Sequence, residues 1–270
     1  MRGWIDTHVH LDLLGSVVDA AVLADAARGA GVTGFLVPGV ESRHWPRLLA
    51  VVRRIAGARA APGLHPAAAA TWSPQSRARL EALLADPAVV AVGEIGLDKT
   101  PGMPAMDVQE RVFRDQLQMA VAAGRPVLIH CRRATGRLLE LLHEAEVPRV
   151  GGIWHAFSGS PETARAVHQL GMAVGIGGPV TYPNACRLRE VVGGLPDDGF
   201  VLETDAPDLS PHPHRDRPNR PEWLRLIAET VAEVRGWTPE ETARVTSGTA
   251  RRLLPAAKWP ENGRQPPPEE

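Results

Sequence analysis

Six side chains of this chain have the chemistry and spacing of metal ligands. His8 and His10 close the apolar run at 4–10. Residues two apart on a strand share a face, so both imidazoles should point the same way, with Asp6 behind them. Two imidazoles on one face can chelate a transition metal. Later apolar runs end in the same manner: Glu94 in Val92-Gly93-Glu94-Ile95, His130 in Leu128-Ile129-His130-Cys131, His155 in Ile153-Trp154-His155, and Asp205 in Glu203-Thr204-Asp205. Four imidazoles and two carboxylates exceed the four positions that one zinc ordinarily fills and suit two divalent ions. Glu94 is the natural bridge, because a carboxylate can offer one oxygen to each ion. Ions roughly 3.5–4 Å apart are the standard device for displacement at phosphorus.

Elements that could gather such distant residues are visible in the hydropathy. Apolar runs rich in Val, Ile, Leu or Gly fall at 4–10, 34–40, 58–64, 88–97, 126–131, 150–157, 172–177 and 199–205. Between most of them lie stretches of helical spacing, at 17–30, 47–56, 76–85, 108–123, 136–145, 161–170 and 185–192. Two more, 221–235 and 239–254, each begin with Pro in a first helical turn. Strands alternating with helices predict parallel βαβ units, and eight of them predict an α/β fold of the (β/α)8 TIM-barrel type. In a barrel the C-terminal strand ends ring one mouth, where the six ligands would meet. One domain is expected over 1–256, followed by a Pro-rich disordered tail at 257–270.

The totals exclude several classes of protein. The 270 residues include 30 basic and 31 acidic side chains, a net charge of −1, so attraction to a polyanion must be local. Cys131 and Cys186 are too few for a disulfide framework or a thiolate zinc site. No apolar run approaches the ~18 residues of a membrane span, and with a strand expected from residue 4 no signal peptide is expected. A cytoplasmic location is the expectation. With one Tyr and four Phe, an extended base-stacking platform is not expected.

The ordered motifs Asp6-Thr7-His8-Val9-His10, Gly63-Leu64-His65-Pro66, Gly93–Asp98, Ile129-His130-Cys131-Arg132, His155–Ser160 and Glu203–Pro207 resemble those of the TatD family of metal-dependent deoxyribonucleases, within the amidohydrolase-like barrels. The loop from Pro213 to Pro221 also resembles the family's Pro-x-Arg-Gly-x-x-Asn-x-Pro stretch. The resemblance runs from Ile5 to Leu254. It implies that His8, His10 and Asp205 hold one ion, that His130 and His155 hold the other, and that Glu94 bridges them. It also implies hydrolysis of DNA, while some relatives are linked to D-aminoacyl-tRNA, an ester substrate. Three positions depart from the family pattern: Asp216 stands at a usual Gly, Lys99 at a common aromatic and Thr249 at a usual Asn. Many binuclear barrel hydrolases acting on lactones, hydantoins or phosphotriesters bridge their ions with a carboxylated lysine. Here no strand run contains a lysine.

The leading expectation is therefore a two-metal deoxyribonuclease using Mg, Mn or Zn. Asp205 orients the attacking water and accepts its proton. His65, Arg132 and Arg215 are the candidate phosphate-binding groups, since a guanidinium can grip phosphate bidentately. Asp6, Asp98 and Glu203 lie on the same faces as ligands and are candidates to fix imidazole tautomers. DNA would be held mainly through phosphates, with weak sequence preference. Two alternatives stand beside this reading: hydrolysis of a carboxylic ester or amide such as D-aminoacyl-tRNA, and a scaffold that keeps the ligands without catalysis.

Overall fold

The computed structural model describes residues 3–14 and 18–259. Eight parallel strands alternate with helices. In chain order these are β1 (Trp4–Asp6), α1 (Leu11–Leu14), α2 (Ala20–Gly29), β2 (Val32–Pro38), α3 (Trp45–Arg54), β3 (Ala58–Ala61), α4 (Pro74–Leu83) and β4 (Val92–Asp98). The second half comprises α5 (Met106–Ala122), β5 (Val127–Arg132), α6 (Thr135–Glu144), β6 (Gly152–Trp154), α7 (Pro161–Gln169), β7 (Met172–Ile176), α8 (Cys186–Gly194), β8 (Phe200–Leu202), α9 (Leu224–Arg235) and α10 (Pro239–Leu253). The ladders form one sheet of β1-β2-β3 and another of β4 through β8. Hydrogen bonds stitch both seams. Val90 N–H donates to the Ala60 carbonyl at 3.0 Å, and Thr7 N–H to the Leu202 carbonyl at 3.1 Å. The architecture is the α/β barrel type that the alternating pattern predicts.

Two apolar layers hold it together. Each strand or its lead-in gives the interior at least one residue: Ile5, Leu36, Ala61, Ala91, Leu128, Ile153, Ala173 and Val201 form one buried cluster with Leu253, Leu254, Ala257 and Trp259. Outward residues such as Phe35, Val37, Leu97, Ile129 and Val174 pack against the helices. Both faces of every strand are thus covered, which explains why the strands read as continuous apolar runs. Of the tail expected from 257, Ala257 and Trp259 are buried in the interior cluster. The remainder of the expected tail, 260–270, lies outside the described residues.

Several helix starts follow from sequence. Ser73 caps α4 in a reciprocal capping box with Ser76, Ser160 caps α7, and Thr238 caps α10, each followed by Pro in the first turn. Strands β1, β6 and β8 are only three residues long and stop before the polar residues that follow them.

Candidate metal centre

The placement of the ligands differs from the simple picture of side chains alternating along strands. Strand β1 ends at Asp6, so His8 and His10 lie beyond it, where Val9 N–H donates to the Leu36 carbonyl and His10 N–H to that of Ala206. Their Nε2 atoms nevertheless lie 3.4 Å apart. His155 and Asp205 likewise follow the ends of β6 and β8. Only Glu94 and His130 belong to strands. Glu94 sits inside β4 at a register shift between Gly93 and Ile95, a bulge that sends its N–H to the Gly39 carbonyl at 3.0 Å. Bulges of this kind re-aim a side chain, and here it is the one that stands at the centre of the group.

The two oxygens of Glu94 face different partners. Oε1 lies 2.7 Å from both His130 Nδ1 and His155 Nε2, whereas Oε2 lies 3.4 Å from His8 Nε2. Asp205 Oδ1 completes the far side, 3.4 Å from His8 Nε2 and 3.7 Å from His10 Nε2. The imidazoles of His8 and His155 stack with centroids 3.9 Å apart, which closes the cluster. Three overlapping groups have ligand atoms within 4.8 Å of one another: His8, His155 and Asp205; His8, His10 and Glu94; and His65, Glu94 and His130. Ligand bonds of 2.0–2.2 Å put donors on one ion up to about 4 Å apart, so this spacing fits divalent ions with little movement.

Electrostatics support the same use. Burial pushes the Glu94 carboxyl upward, but the imidazoles of His155, His8 and His65 outweigh it and leave the group well below its usual range. Burial pushes the His155 imidazole down, and the Glu94 carboxylate more than reverses this, raising it to about 10. Burial drives His8 and His10 the other way, toward the neutral form a metal requires. Asp205 is raised well above an ordinary aspartate, first by burial. Without a metal, the proton on His155 holds a place that a cation would take.

Carboxylates and amides behind the ligands hold them in place. Asp98 Oδ2 lies 3.2 Å from His130 Nε2, which leaves Nδ1 directed at Glu94. Glu203 accepts the Ala156 N–H at 2.5 Å and lies 3.8 Å from His155 Nδ1, too far for a hydrogen bond to the imidazole. Space for Glu203 comes from Gly175, where a Cβ would fall 2.0 Å from Oε2. At Gly96, with φ +152°, a Cβ would fall 1.8 Å from the His130 carbonyl oxygen, so only glycine lets β4 approach β5 here. Asp6 serves the backbone rather than an imidazole. It accepts the Thr204 N–H at 2.9 Å and the Thr204 hydroxyl at 2.6 Å. Asn219, which the sequence placed in the mouth loop without a role, donates to the Thr204 and Asp208 carbonyls, both at 2.7 Å. These contacts hold Asp205 at φ 60°, a left-handed conformation that aspartate tolerates better than most residues.

The phosphate-binding candidates occupy different surroundings. His65 Nδ1 accepts the Ala67 N–H at 3.1 Å, so its proton resides on Nε2, which points at Glu94 Oε1 from 3.6 Å. Burial lowers its pKa to about 4, so it stays neutral. A histidine locked in this tautomer is a hydrogen-bond donor at the centre rather than a ligand. Arg132, the last residue of β5, is exposed and lines a cleft of about 860 Å³ that opens beside His130, His155 and Asp205. Arg215 is also exposed but stacks on the Tyr182 ring at 4.1 Å and is not among the cleft-lining residues. Tyr182, Asn184 and Arg187, from the segment between β7 and the first turn of α8, line the cleft. Sequence reasoning passed over them because they form no metal-ligand or catalytic motif; the lone tyrosine was the one available signal.

A parallel α/β barrel with imidazoles and carboxylates gathered at one mouth defines a metal-dependent hydrolase. Comparisons with known proteins identify the kind. The family model for TatD related DNase matches residues 5–255, and the chain belongs to the TatD family. The metal-dependent hydrolase YabD of Bacillus subtilis is 36% identical over 249 residues, covering 92% of this chain and 98% of YabD. The 3'-5' ssDNA/RNA exonuclease TatD of Cronobacter turicensis is 40% identical over 234 residues, covering 84% and 89%. The crystal structure of the TatD homologue YjjV from Escherichia coli superposes with a TM-score of 0.88 at 35% identity, covering 93% of this chain and 98% of that one. Among the described residues no helix is long and apolar enough to cross a membrane.

Proposed function

We propose that the chain is a two-metal phosphodiesterase that removes nucleotides from an end of single-stranded nucleic acid, with DNA as a substrate. The observation that carries this reading is the division of Glu94, one oxygen toward His130 and His155 and the other toward His8. That arrangement suits a bridge between an ion held by His8, His10 and Asp205 and another held by His130 and His155. The Cronobacter relative named as a single-strand exonuclease supports the substrate. Divalent ions such as Mg, Mn or Zn, when bound, supply Lewis-acid polarisation of a phosphoryl oxygen and lower the pKa of an attacking water. Asp205, on the cleft side of the cluster, orients that water and accepts its proton. His65 donates its Nε2 proton in a hydrogen bond to a phosphate oxygen, and Arg132 neutralises charge at the cleft wall.

The test is cleavage of an end-labelled single-stranded oligonucleotide by chelated protein, with Mg, Mn or Zn added back and Glu94→Ala alongside. The expected result is metal-restored cleavage in single-nucleotide steps, lowered at least about 10³-fold in the variant. Protein that binds metal, leaves the oligonucleotide intact and hydrolyses a carboxylic ester such as D-aminoacyl-tRNA would overturn the nuclease reading.

A further inference from the structure

The wall of the cleft beside the candidate metal centre carries more than Arg132. Phe157, Tyr182, Leu188 and Leu209 give it apolar surface, and Arg132 and Arg187 give it charge. The Tyr182 ring is fixed from two sides: its hydroxyl donates to the Ser210 carbonyl at 3.0 Å, and the Arg215 guanidinium lies over it at 4.1 Å. Leu209 is held at φ 51°, a left-handed backbone that few non-glycine residues adopt, and yet remains 37% exposed. An exposed leucine kept in a costly conformation at the edge of a catalytic cleft marks a surface shaped for a ligand. Arg187 is exposed in the first turn of α8 and has no carboxylate partner among the described residues.

We propose that this cleft is the subsite for the nucleotide adjoining the scissile phosphate, with its base stacked on Tyr182 and the next phosphate held by Arg187. The inference rests on the nuclease reading above and gives it a reason for single strands. A base is free to leave its neighbours and lie on a protein ring only when it is unpaired. Every base has a π-face, so one ring serves all four and the subsite confers little sequence preference. The volume of about 860 Å³ lies within the range of small-ligand sites. The Arg215 guanidinium over Tyr182 adds positive charge to the wall without occupying the cleft. The rival role for Tyr182 is purely structural, its hydroxyl tying the two mouth loops together through Ser210.

Binding of a fluorescent single-stranded oligonucleotide, read by anisotropy, separates these roles. It is measured in the full chain carrying Glu94→Gln to prevent cleavage, with manganese present. Tyr182→Leu, which keeps bulk and removes the ring, is expected to weaken binding roughly ten-fold. Tyr182→Phe, which keeps the ring and cuts the hydroxyl tie, stays within about two-fold. An abasic nucleotide beside the cleaved phosphate weakens binding to the Glu94→Gln protein by the same factor and costs nothing further in Tyr182→Leu. Arg187→Gln flattens the dependence of log affinity on log salt by about 0.7, as loss of one single-strand phosphate contact requires. Equal losses in Tyr182→Phe and Tyr182→Leu, or an abasic penalty undiminished in Tyr182→Leu, overturn the stacking subsite. Failure of the nuclease reading looks different: with Glu94 intact the chain then leaves the oligonucleotide uncut, in wild type as in Tyr182→Phe and Tyr182→Leu.

Discussion

The two sides of the candidate metal centre are built differently. On the β1/β8 side, His8 is fully buried and neither His8 nor His10 has a hydrogen-bond partner at Nδ1. Order there comes from main chain: Asp6 grips Thr204, Asn219 grips Thr204 and Asp208, and Asp205 N–H donates to the His8 carbonyl at 2.8 Å. On the β5/β6 side, the His130 side chain is 17% exposed to the cleft, and its Nε2 is held by the Asp98 carboxylate. A dry imidazole wedged among others can be oriented by packing and backbone alone. One that borders solvent needs a charged partner to hold its tautomer against water. Glu94 alone spans both constructions.

Breaking the β1/β8 side should have the largest effect. Asp205→Asn keeps the size and one oxygen of the ligand but cannot accept a proton. kcat is expected to fall about 10²–10⁴-fold, while metal content changes far less. Equal losses in kcat and metal affinity would reduce Asp205 to a ligand. Breaking the solvent-facing side should cost less and spare the other. Asp98→Ala frees His130 Nε2 and is expected to weaken the ion beside His130 about 10–100-fold, while the ion beside His8 keeps its affinity. Metal titration of the variant should therefore resolve one weakened and one unchanged affinity. A parallel loss at both positions would mean that the sites do not separate along this line.

A smaller effect reads the two sides through their protons. On the β5/β6 side burial lowers His155, and Glu94 carries it back up to about 10, so without a metal it is protonated. On the β1/β8 side burial raises Asp205 well above the ordinary aspartate range and drives His8 and His10 down, toward the neutral form. Metal uptake near neutral pH should then release the His155 proton. Because His155 stays protonated until pH approaches about 10, the apparent affinity of its ion should rise with pH throughout the range below that value. Calorimetry in buffers of different ionisation enthalpy measures the release. The release should shrink in His155→Asn, and an unchanged count would assign that proton elsewhere.

Much of this was legible in the sequence, for physical reasons that also mark the limits. Strands buried on both faces leave continuous apolar runs, so the eight runs locate the eight strands to within a few residues. A barrel brings strand ends to one rim, so His130 after Leu128-Ile129 and Asp205 after Val201-Leu202 could be placed together without a structure. The local path was not legible: period-two alternation predicted His8 and His10 on a strand, but β1 stops at Asp6, and the chain beyond takes its hydrogen bonds from three other segments. Nor was the bulge that aims Glu94, since a bulge depends on the partner strand. Asp6 was read as a partner for an imidazole and is instead the anchor of Thr204. Tyr182, Asn184 and Arg187 form a wall only once the loop after β7 meets the cleft, and Asn219 binds groups 11 and 15 residues earlier in the chain.

The smallest expected effect lies at the outer edge of the comparison, in the mouth loop. Asp216 occupies a position where the resembling proteins usually have glycine, and a Cβ and a negative charge at the mouth of a nuclease could both be harmful. Neither is so here. The residue is exposed, it is absent from the positive-φ positions, and its carboxylate lies 3.4 Å from the guanidinium of its neighbour Arg217. That contact holds the carboxyl below the ordinary aspartate range, so the charge is present at neutral pH but largely offset where it arises. The loop is anchored by Asn219 and by the Ser210 hydroxyl, which donates to the Arg217 carbonyl at 2.6 Å, and neither contact uses the Asp216 side chain. Asp216→Gly should therefore change kcat/KM on an oligonucleotide less than about two-fold, in line with exposed substitutions away from packed features. A gain well beyond that, vanishing at high salt, would show that Asp216 repels the incoming phosphates and that the mouth loop lies on the path of the substrate.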